Sequence, residues 1–179
     1  MRHGRILLAM VAVLLVSLTA GKAPAADSLN AVWVHGNVAE AEAPWNLEST
    51  AVRGWGIFFT GKENSFNWFH IPISTPVITE STRVRLEKFF LRFKTFGDCT
   101  INNIHVWDGN TRIIAKDGLS LSGDHLSTYE LGINAFDVSP LIGMSTGMEI
   151  AVGVKFGVKS PGSPKIQFST AGADFHRFW

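Results

Sequence analysis

Cysteine is almost absent from this 179-residue chain: Cys99 stands alone, so no internal disulfide can form and the fold rests on its core. Excess charge is absent too. Of 16 Lys and Arg residues, Arg2, Arg5 and Lys22 fall in the first 25 positions, leaving 13 basic against 15 acidic residues from Ala26 onward. That balance gives no electrostatic grip on nucleic acid or on anionic lipid. Long stretches of helical period are missing as well, which excludes helical bundles and doubly wound α/β folds. The one long apolar run, Ile6 to Leu18, is too short to cross a bilayer comfortably. No two of His35, His70, His105, His125 and His176 have the i, i+2 or i, i+4 spacing of a local metal clasp.

The first 25 residues form an address. Met1-Arg2-His3-Gly4-Arg5 is a short basic start, the apolar run follows, and Ala23-Pro24-Ala25 is a small-residue cleavage site. This pattern predicts a secretory signal peptide over 1–25 and a mature protein working outside the cytoplasm, secreted or periplasmic. No cysteine sits at the cleavage point to carry a lipid. Residues 26–179, of a size suited to one domain, can bury enough surface to stand without a staple. Cys99, between Asp98 and Thr100 and with no neighbouring cation to activate it, reads as a small filler residue.

Past residue 30, β-branched and aromatic residues recur in short alternating runs divided by Gly, Pro, Asn and Asp. The expected fold is all-β, a jelly-roll-like sandwich of two antiparallel sheets. Nine strands are expected, over Ala31–Val34, Trp55–Thr60, Phe66–Ile73, Arg83–Thr95, Ile101–Trp107, Arg112–Ala115, Tyr129–Val138, Met148–Val158 and Ile166–Ala171. Asp108-Gly109-Asn110 and Asp117-Gly118 offer tight hairpin turns, and Pro161-Gly162-Ser163-Pro164 separates the last two strands. Glu40–Glu48 is the one place for a helix, and Pro44 interrupts it. In Arg83–Thr95, Leu86 cannot share a face with Phe89, Leu91 and Phe93 without a slip, so a β-bulge is expected near Lys88.

Parity within strands locates a candidate site. In Phe66–Ile73, Phe69, Ile71 and Ile73 share one face, leaving Phe66, Trp68 and His70 on the other. In Ile101–Trp107, Ile104 and Val106 are matched, leaving Asn103, His105 and Trp107. Met148–Val158 sets Met148, Ile150, Val152, Val154 and Phe156 against the smaller Ala151, Gly153 and Gly157. If aliphatic faces point inward, Trp68, His70, Asn103, His105 and Trp107 form a platform of rings with a polar fringe, suited to a sugar. The alternative is that the indoles fill the core, and parity alone does not choose between the two.

Other chemistries have thinner support. His70 and His105 could hold a transition metal across strands, but neither strand supplies an acidic third ligand. Asp108, Asn110, Asp117 and Asp124 could offer oxygen to calcium, yet their spacing matches no calcium loop and turn chemistry accounts for them. Gly143-Met144-Ser145-Thr146-Gly147 matches G-x-S-x-G, with Asp174 and His176 following in hydrolase order, but that elbow needs a strand before it and a helix after it in a parallel sheet. Glu87, Glu130 and Glu149 fall on separate strands and suggest no glycosidase pair.

The stretch Asn67-Trp68-Phe69-His70-Ile71-Pro72-Ile73-Ser74-Thr75-Pro76-Val77-Ile78 resembles the signature of an uncharacterised family of small β-rich, mainly bacterial proteins. Gly54-Trp55-Gly56 with Gly61-Lys62, Trp33-Val34-His35-Gly36 and Leu119-Ser120-Leu121-Ser122-Gly123-Asp124 extend the resemblance over nearly the whole chain after the signal. It implies one compact β-domain and supplies no catalytic residue. The expected function is a secreted, non-catalytic module binding an extracellular glycan or small ligand without cofactor, nucleic acid or stable membrane insertion. The alternatives are a metal-dependent extracellular enzyme using His70 and His105 and a small outer-membrane barrel ending in Phe178-Trp179. Expression with export should yield a mature protein whose N-terminal sequencing starts at Ala26; retention of residues 1–25 in the exported product would contradict the signal reading.

Overall fold

The computed structural model describes residues 28–159 and 162–177. The signal segment, the beginning of the Pro161–Pro164 break and the terminal Phe178 and Trp179 lie outside them. Thirteen strands follow one another: β1 (Ser28–His35), β2 (Glu40–Ala41), β3 (Leu47–Arg53), β4 (Gly56–Gly61), β5 (Ser65–Ile73), β6 (Ile78–Thr79), β7 (Thr82–Phe96), β8 (Cys99–Asp108), β9 (Thr111–Lys116), β10 (Asp124–His125), β11 (Ala135–Gly143), β12 (Met148–Phe156) and β13 (Lys165–Arg177).

They build a two-sheet antiparallel sandwich. The larger sheet runs β10-β7-β13-β4-β3, with β1 also on β13 and β6 and β11 also on β7; the smaller runs β2-β5-β12-β8-β9. From β4 onward the chain passes repeatedly from one sheet to the other, the crossing expected of a jelly-roll-like fold. Between the layers lies one cluster of buried side chains. Phe69 sits at its middle, 4.4 Å from the ring of Phe59 and 5.4 Å from that of Phe168, so rings from both sheets interlock. Cys99 belongs to this cluster, and burial, with the charge of Asp98, pushes its thiol up to about 12.

Alternation accounts for most elements. Phe69, Ile71 and Ile73 of β5, Ile104 and Val106 of β8, and Met148, Ile150, Val152, Val154 and Phe156 of β12 all point inward. The expected bulge is present: Lys88 pairs with Asp174 and Leu86 with Phe175, so Glu87 is the extra residue that brings both Leu86 and Phe89 into the core. A second bulge at Asn102 lets Ile101 and Ile104 share the inner face of β8. Because the apolar series of β12 faces its own core, it is not a lipid face, and the barrel reading falls. No helix of the described residues is long and apolar enough to cross a membrane.

The strand count and two local expectations are corrected. Nine strands become 13 because β2, β6 and β10 are two-residue elements, and β3 is an edge strand whose residues are mostly exposed and carry no apolar alternation. The expected strand from Tyr129 starts only at Ala135; Asn134, fully buried, gathers the loop before it by donating to the carbonyls of His125 and Thr128 and accepting from the Glu130 N–H. Asp117-Gly118 is no hairpin, since the chain beyond it stays beside β8, where Leu121 bridges Ile101. Pro44 opens a single 3-10 turn, Pro44–Asn46, in place of any longer helix.

Close approach fixes Gly61. A Cβ there would stand 2.0 Å from Cγ of the buried Phe156 ring, whereas at Gly54 nothing lies within 4 Å. Gly61→Ala should therefore cost about 1–3 kcal/mol through overpacking, and Gly54→Ala should stay within about 0.5 kcal/mol. Denaturant unfolding of the two variants side by side measures the contrast, and equal stabilities would contradict the packing described.

Candidate functional site

The outer face of the smaller sheet carries all five residues expected from parity, on one side and away from the core. Register sets them in rows across β5, β12 and β8: Pro72–Glu149–Trp107, His70–Ala151–His105, Trp68–Gly153–Asn103 and Phe66–Lys155–Thr100. The middle column decides what the outer columns can do. Strands β5 and β8 are two spacings apart, about 10 Å, yet the rings of Trp68 and His105 come within 4.8 Å of each other by closing over β12. Only Ala151 and Gly153 leave room for that. A Cβ on Gly153 would lie 2.8 Å from Cζ of Phe66 and 3.1 Å from Oδ1 of Asn103. Phe66 completes the deck, edge-on to Trp68 at 5.6 Å.

The rings are fringed by hydrogen-bonded polar groups. His105 donates from Nε2 to Asp117 at 2.8 Å, and Asn103 donates to the same carboxylate oxygen at 2.6 Å. These two bonds hold Asp117 below the usual carboxylate range. Across Ala151, His70 stands between two carboxylates, with Glu149 at 2.7 Å from Nδ1 and Glu42 at 3.1 Å from Nε2. A neutral imidazole has one N–H to offer, so facing two acceptors favours the doubly protonated ring. Burial works against that charge, but the hydrogen bonds to Glu149 and Glu42 outweigh it and raise the pKa of His70 above its ordinary 6.5.

Not every expected partner meets. Trp68, Asn103 and His105 are brought together, and His70 shares a row with His105. Trp107 lies two rows from Trp68, beside Glu149, so the two indoles do not form one stack. Three groups escaped the sequence reading of the site: Glu42, which follows the short strand β2; Asp117, which resembled a hairpin residue; and Glu149, which parity had placed only on a smooth face. Their signal is topological, since each reaches its histidine from another strand or loop.

The remaining chemistry-bearing groups are occupied elsewhere. Among the described residues, no three His, Cys, Asp or Glu side chains converge to hold a metal, and His70 and His105 each turn to their own carboxylates. The four candidate calcium donors are dispersed: Asp117 on His105, Asp124 on Lys94 at 2.7 Å, Asn110 in the β8–β9 turn, and Asp108 in the Ser145 loop. Asp108 explains the G-x-S-x-G sequence. Its carboxylate accepts from the backbone N–H groups of Ser145, Thr146 and Gly147 at 2.7, 2.8 and 3.0 Å and from the Thr146 hydroxyl at 2.9 Å. Burial would raise its pKa, but those donors prevail and lower it. The loop is thus a cradle for a structural carboxylate, while Asp174 and His176 lie on β13, whose register places them beside Lys88 and Arg85 of the larger sheet.

A family model matches residues 28–177. The chain belongs to the family of unknown function DUF6623. Its membership agrees with the resemblance carried by the Asn67–Ile78 stretch. No curated protein matches the sequence. Among solved structures, this DUF6623 chain is similar to a family 29 carbohydrate-binding module from Piromyces equi, at 10% identity and a TM-score of 0.36, over 83% of this chain and 91% of that one. It is also similar to an exo-beta-1,3-galactanase from Phanerochaete chrysosporium with galactose, at 9% identity and a TM-score of 0.33, over 83% of this chain and 29% of that one.

The raised pKa of His70 has a definite sign. Its stabilising contribution is fully present below pH 6.5 and is lost as pH rises through the higher folded value. Going from pH 8.5 to about 6, thermal unfolding should show a small gain in stability, small because the ring is a third exposed and solvent screens it. His70→Asn should remove that gain; an unchanged pH profile in the variant would show that the carboxylates do not hold a charged imidazole.

Proposed function

We propose that this protein is an extracellular module that binds a neutral glycan on the outer face of its smaller sheet. The observation that supports it most is the closure of Trp68 onto His105 across Ala151 and Gly153. It produces a deck of the Phe66 and Trp68 rings, backed by the largely buried ring of His105, with no aliphatic side chain of β12 standing through it. A pyranose has an apolar C–H face and a rim of hydroxyls, and a ring deck with acceptors on both flanks matches the two together. Here the flanks are Asp117 and Asn103 on one side and Glu42 and Glu149 on the other.

The charge of those flanks narrows the ligand. Three carboxylates, two imidazoles and, in the Phe66 row, Lys155 surround the deck; on the carboxylate flanks an anionic sugar would meet like charge while a neutral one meets acceptors for its hydroxyls. The groups are also positioned before any ligand arrives, because each carboxylate is tied to an imidazole and each imidazole sits on a strand. Such preorganisation reduces the ordering cost of binding. Trp107, in the next row but one, offers a further contact to a chain long enough to reach past Glu149. The sequence-based expectation of export places the module outside the cytoplasm, where glycans are exposed.

Titration of the mature protein against a panel of neutral oligosaccharides, followed by tryptophan fluorescence, tests the proposal. Trp68→Ala should weaken the bound member of the panel about tenfold or more, a loss of the size seen when a central aromatic contact is truncated. Trp107→Ala should matter only for the longer oligosaccharides. A panel without a saturable binder, or undiminished binding by Trp68→Ala, would defeat it.

A further inference from the structure

The opposite face of the sandwich holds a groove of about 300 Å³ lined by Ser49, Ala51, Arg53, Trp55, Phe58, Thr60 and Lys165. It lies on the larger sheet, so the whole core separates it from the Trp68 deck. We infer that this groove is a second ligand site, selective for an acidic saccharide, meaning a short sugar chain that carries carboxylates.

The floor is apolar and aromatic. Trp55 is 63% exposed at the tip of the β3–β4 hairpin, and Phe58 follows it on β4. An exposed indole on a loose turn would mean little, but this tip is held from three directions. His35 donates from Nε2 to the Gly54 carbonyl at 3.2 Å, Asn37 donates to the Arg53 carbonyl at 3.2 Å, and Gln167 donates to the Trp55 carbonyl at 3.5 Å. Gly56 locks the return of the turn: its φ is 146°, and a Cβ there would stand 2.3 Å from the Phe168 carbonyl oxygen. The indole is therefore presented on a fixed frame.

The walls carry positive charge and no negative charge. None of the lining residues is acidic. Lys165 packs its ammonium 4.9 Å from the Phe96 ring centroid and 6.0 Å from that of Phe58, and Arg53 spends one N–H on the Val52 carbonyl at 2.8 Å. Nearby acids are already engaged, Glu48 by Lys159 at 2.5 Å and Asp124 by Lys94 at 2.7 Å. Register places Arg53 opposite Gly56 and Lys165 opposite Thr60, two rows apart and on either side of β4. Lys165 thus stands at one end of the groove with the hydroxyls of Ser49 and Thr60 in its row, Arg53 stands toward the hairpin tip with Trp55 just beyond it, and Phe58 lies in the row between the two cations.

A ligand that satisfies all of this has a ring face for the aromatics, hydroxyls for Ser49 and Thr60, and anionic groups spaced along a short chain. The guanidinium fork of Arg53 suits a carboxylate. A single-stranded nucleic acid would also offer rings and anions. It is disfavoured because two cations make no track for a phosphate backbone, and 13 basic against 15 acidic residues from Ala26 onward provide no field to gather a polyanion.

Calorimetric titration of the mature protein with tri-galacturonate tests the inference, with the carboxyl-reduced trisaccharide, inorganic phosphate and a short oligo-dT as comparison probes. Expected are saturable tri-galacturonate binding that weakens with added salt, reduced-sugar binding weaker by about tenfold or more, and a similar loss in Arg53→Gln, Lys165→Met and Trp55→Ala. Thermal unfolding shows whether each variant is folded, and since the first two keep the aliphatic stem and remove only the charge, either one suffices. Absent saturation, equal affinity for the reduced sugar, indifference to both charge variants, or tighter oligo-dT or phosphate binding would each overturn the site. Trp68→Ala should leave tri-galacturonate affinity unchanged, so this site and the deck on the smaller sheet can fail independently.

Discussion

Strand β12 is the constraint on which the smaller sheet depends. It is hydrogen-bonded on both sides, to β5 and to β8, and its two faces follow opposite rules. Inward, it needs bulk: Ile150, Val152, Val154 and Phe156 are fully buried and help fill the space between the layers. Outward, it needs the lack of bulk, because the side chains of its neighbours meet above it. A valine at 151 or 153 would still be compatible with a strand, and even favourable by propensity. It would hold Trp68 away from His105 and Phe66 away from Asn103. The smallness of Ala151 and Gly153 therefore belongs to the arrangement of rings and not to the backbone.

The same constraint fixes the arrangement of the face. Rings that close over small residues bury the strand beneath them, and Ala151 is only 3% exposed although it lies on the outer face. That burial is favourable by itself, and it fixes the angle at which Trp68 is offered to solvent over the largely buried His105. The carboxylate attached to each imidazole then fixes ring orientation in the plane of the sheet. Packing and hydrogen bonding thus act on the same side chains from different directions.

How much of this was legible in the sequence depends on distance along the chain. The grouping of residues into faces was legible, because inside a strand the period of two links each residue to its neighbours two away; which face is buried was not, since parity is the same either way, and it is the structure that puts Phe69, Ile71 and Val106 inside and Trp68 and His70 outside. The bulge at Glu87 was legible for the same reason, as a break in phase between Leu86 and Phe89. Pairing across the sheet was not. That Glu42 would reach His70 depends on β2 lying beside β5, and that Asp117 would serve His105 depends on the chain staying with β8 after β9; no local pattern encodes either. The edge strand β3 was hidden for a related reason, since an edge exposed to water has no buried face and so leaves no alternation to read.

Motif and structure also part company at Ser145, for a reason that extends to the rest of the surface. Four donors of the Ser145–Gly147 loop converge on the Asp108 carboxylate, so the serine backbone is committed to closing the end of the β8–β9 hairpin. Comparable local commitments, Glu48 to Lys159, Asp124 to Lys94 and Lys88 to Asp137, pair charges on and around the larger sheet. On the smaller sheet acceptor oxygens lie around a ring deck, and on the larger sheet Arg53 and Lys165 line one groove with Trp55 and Phe58. One rigid core thus presents two aromatic surfaces of opposite electrostatic character, and a ligand suited to one is discouraged at the other by charge alone.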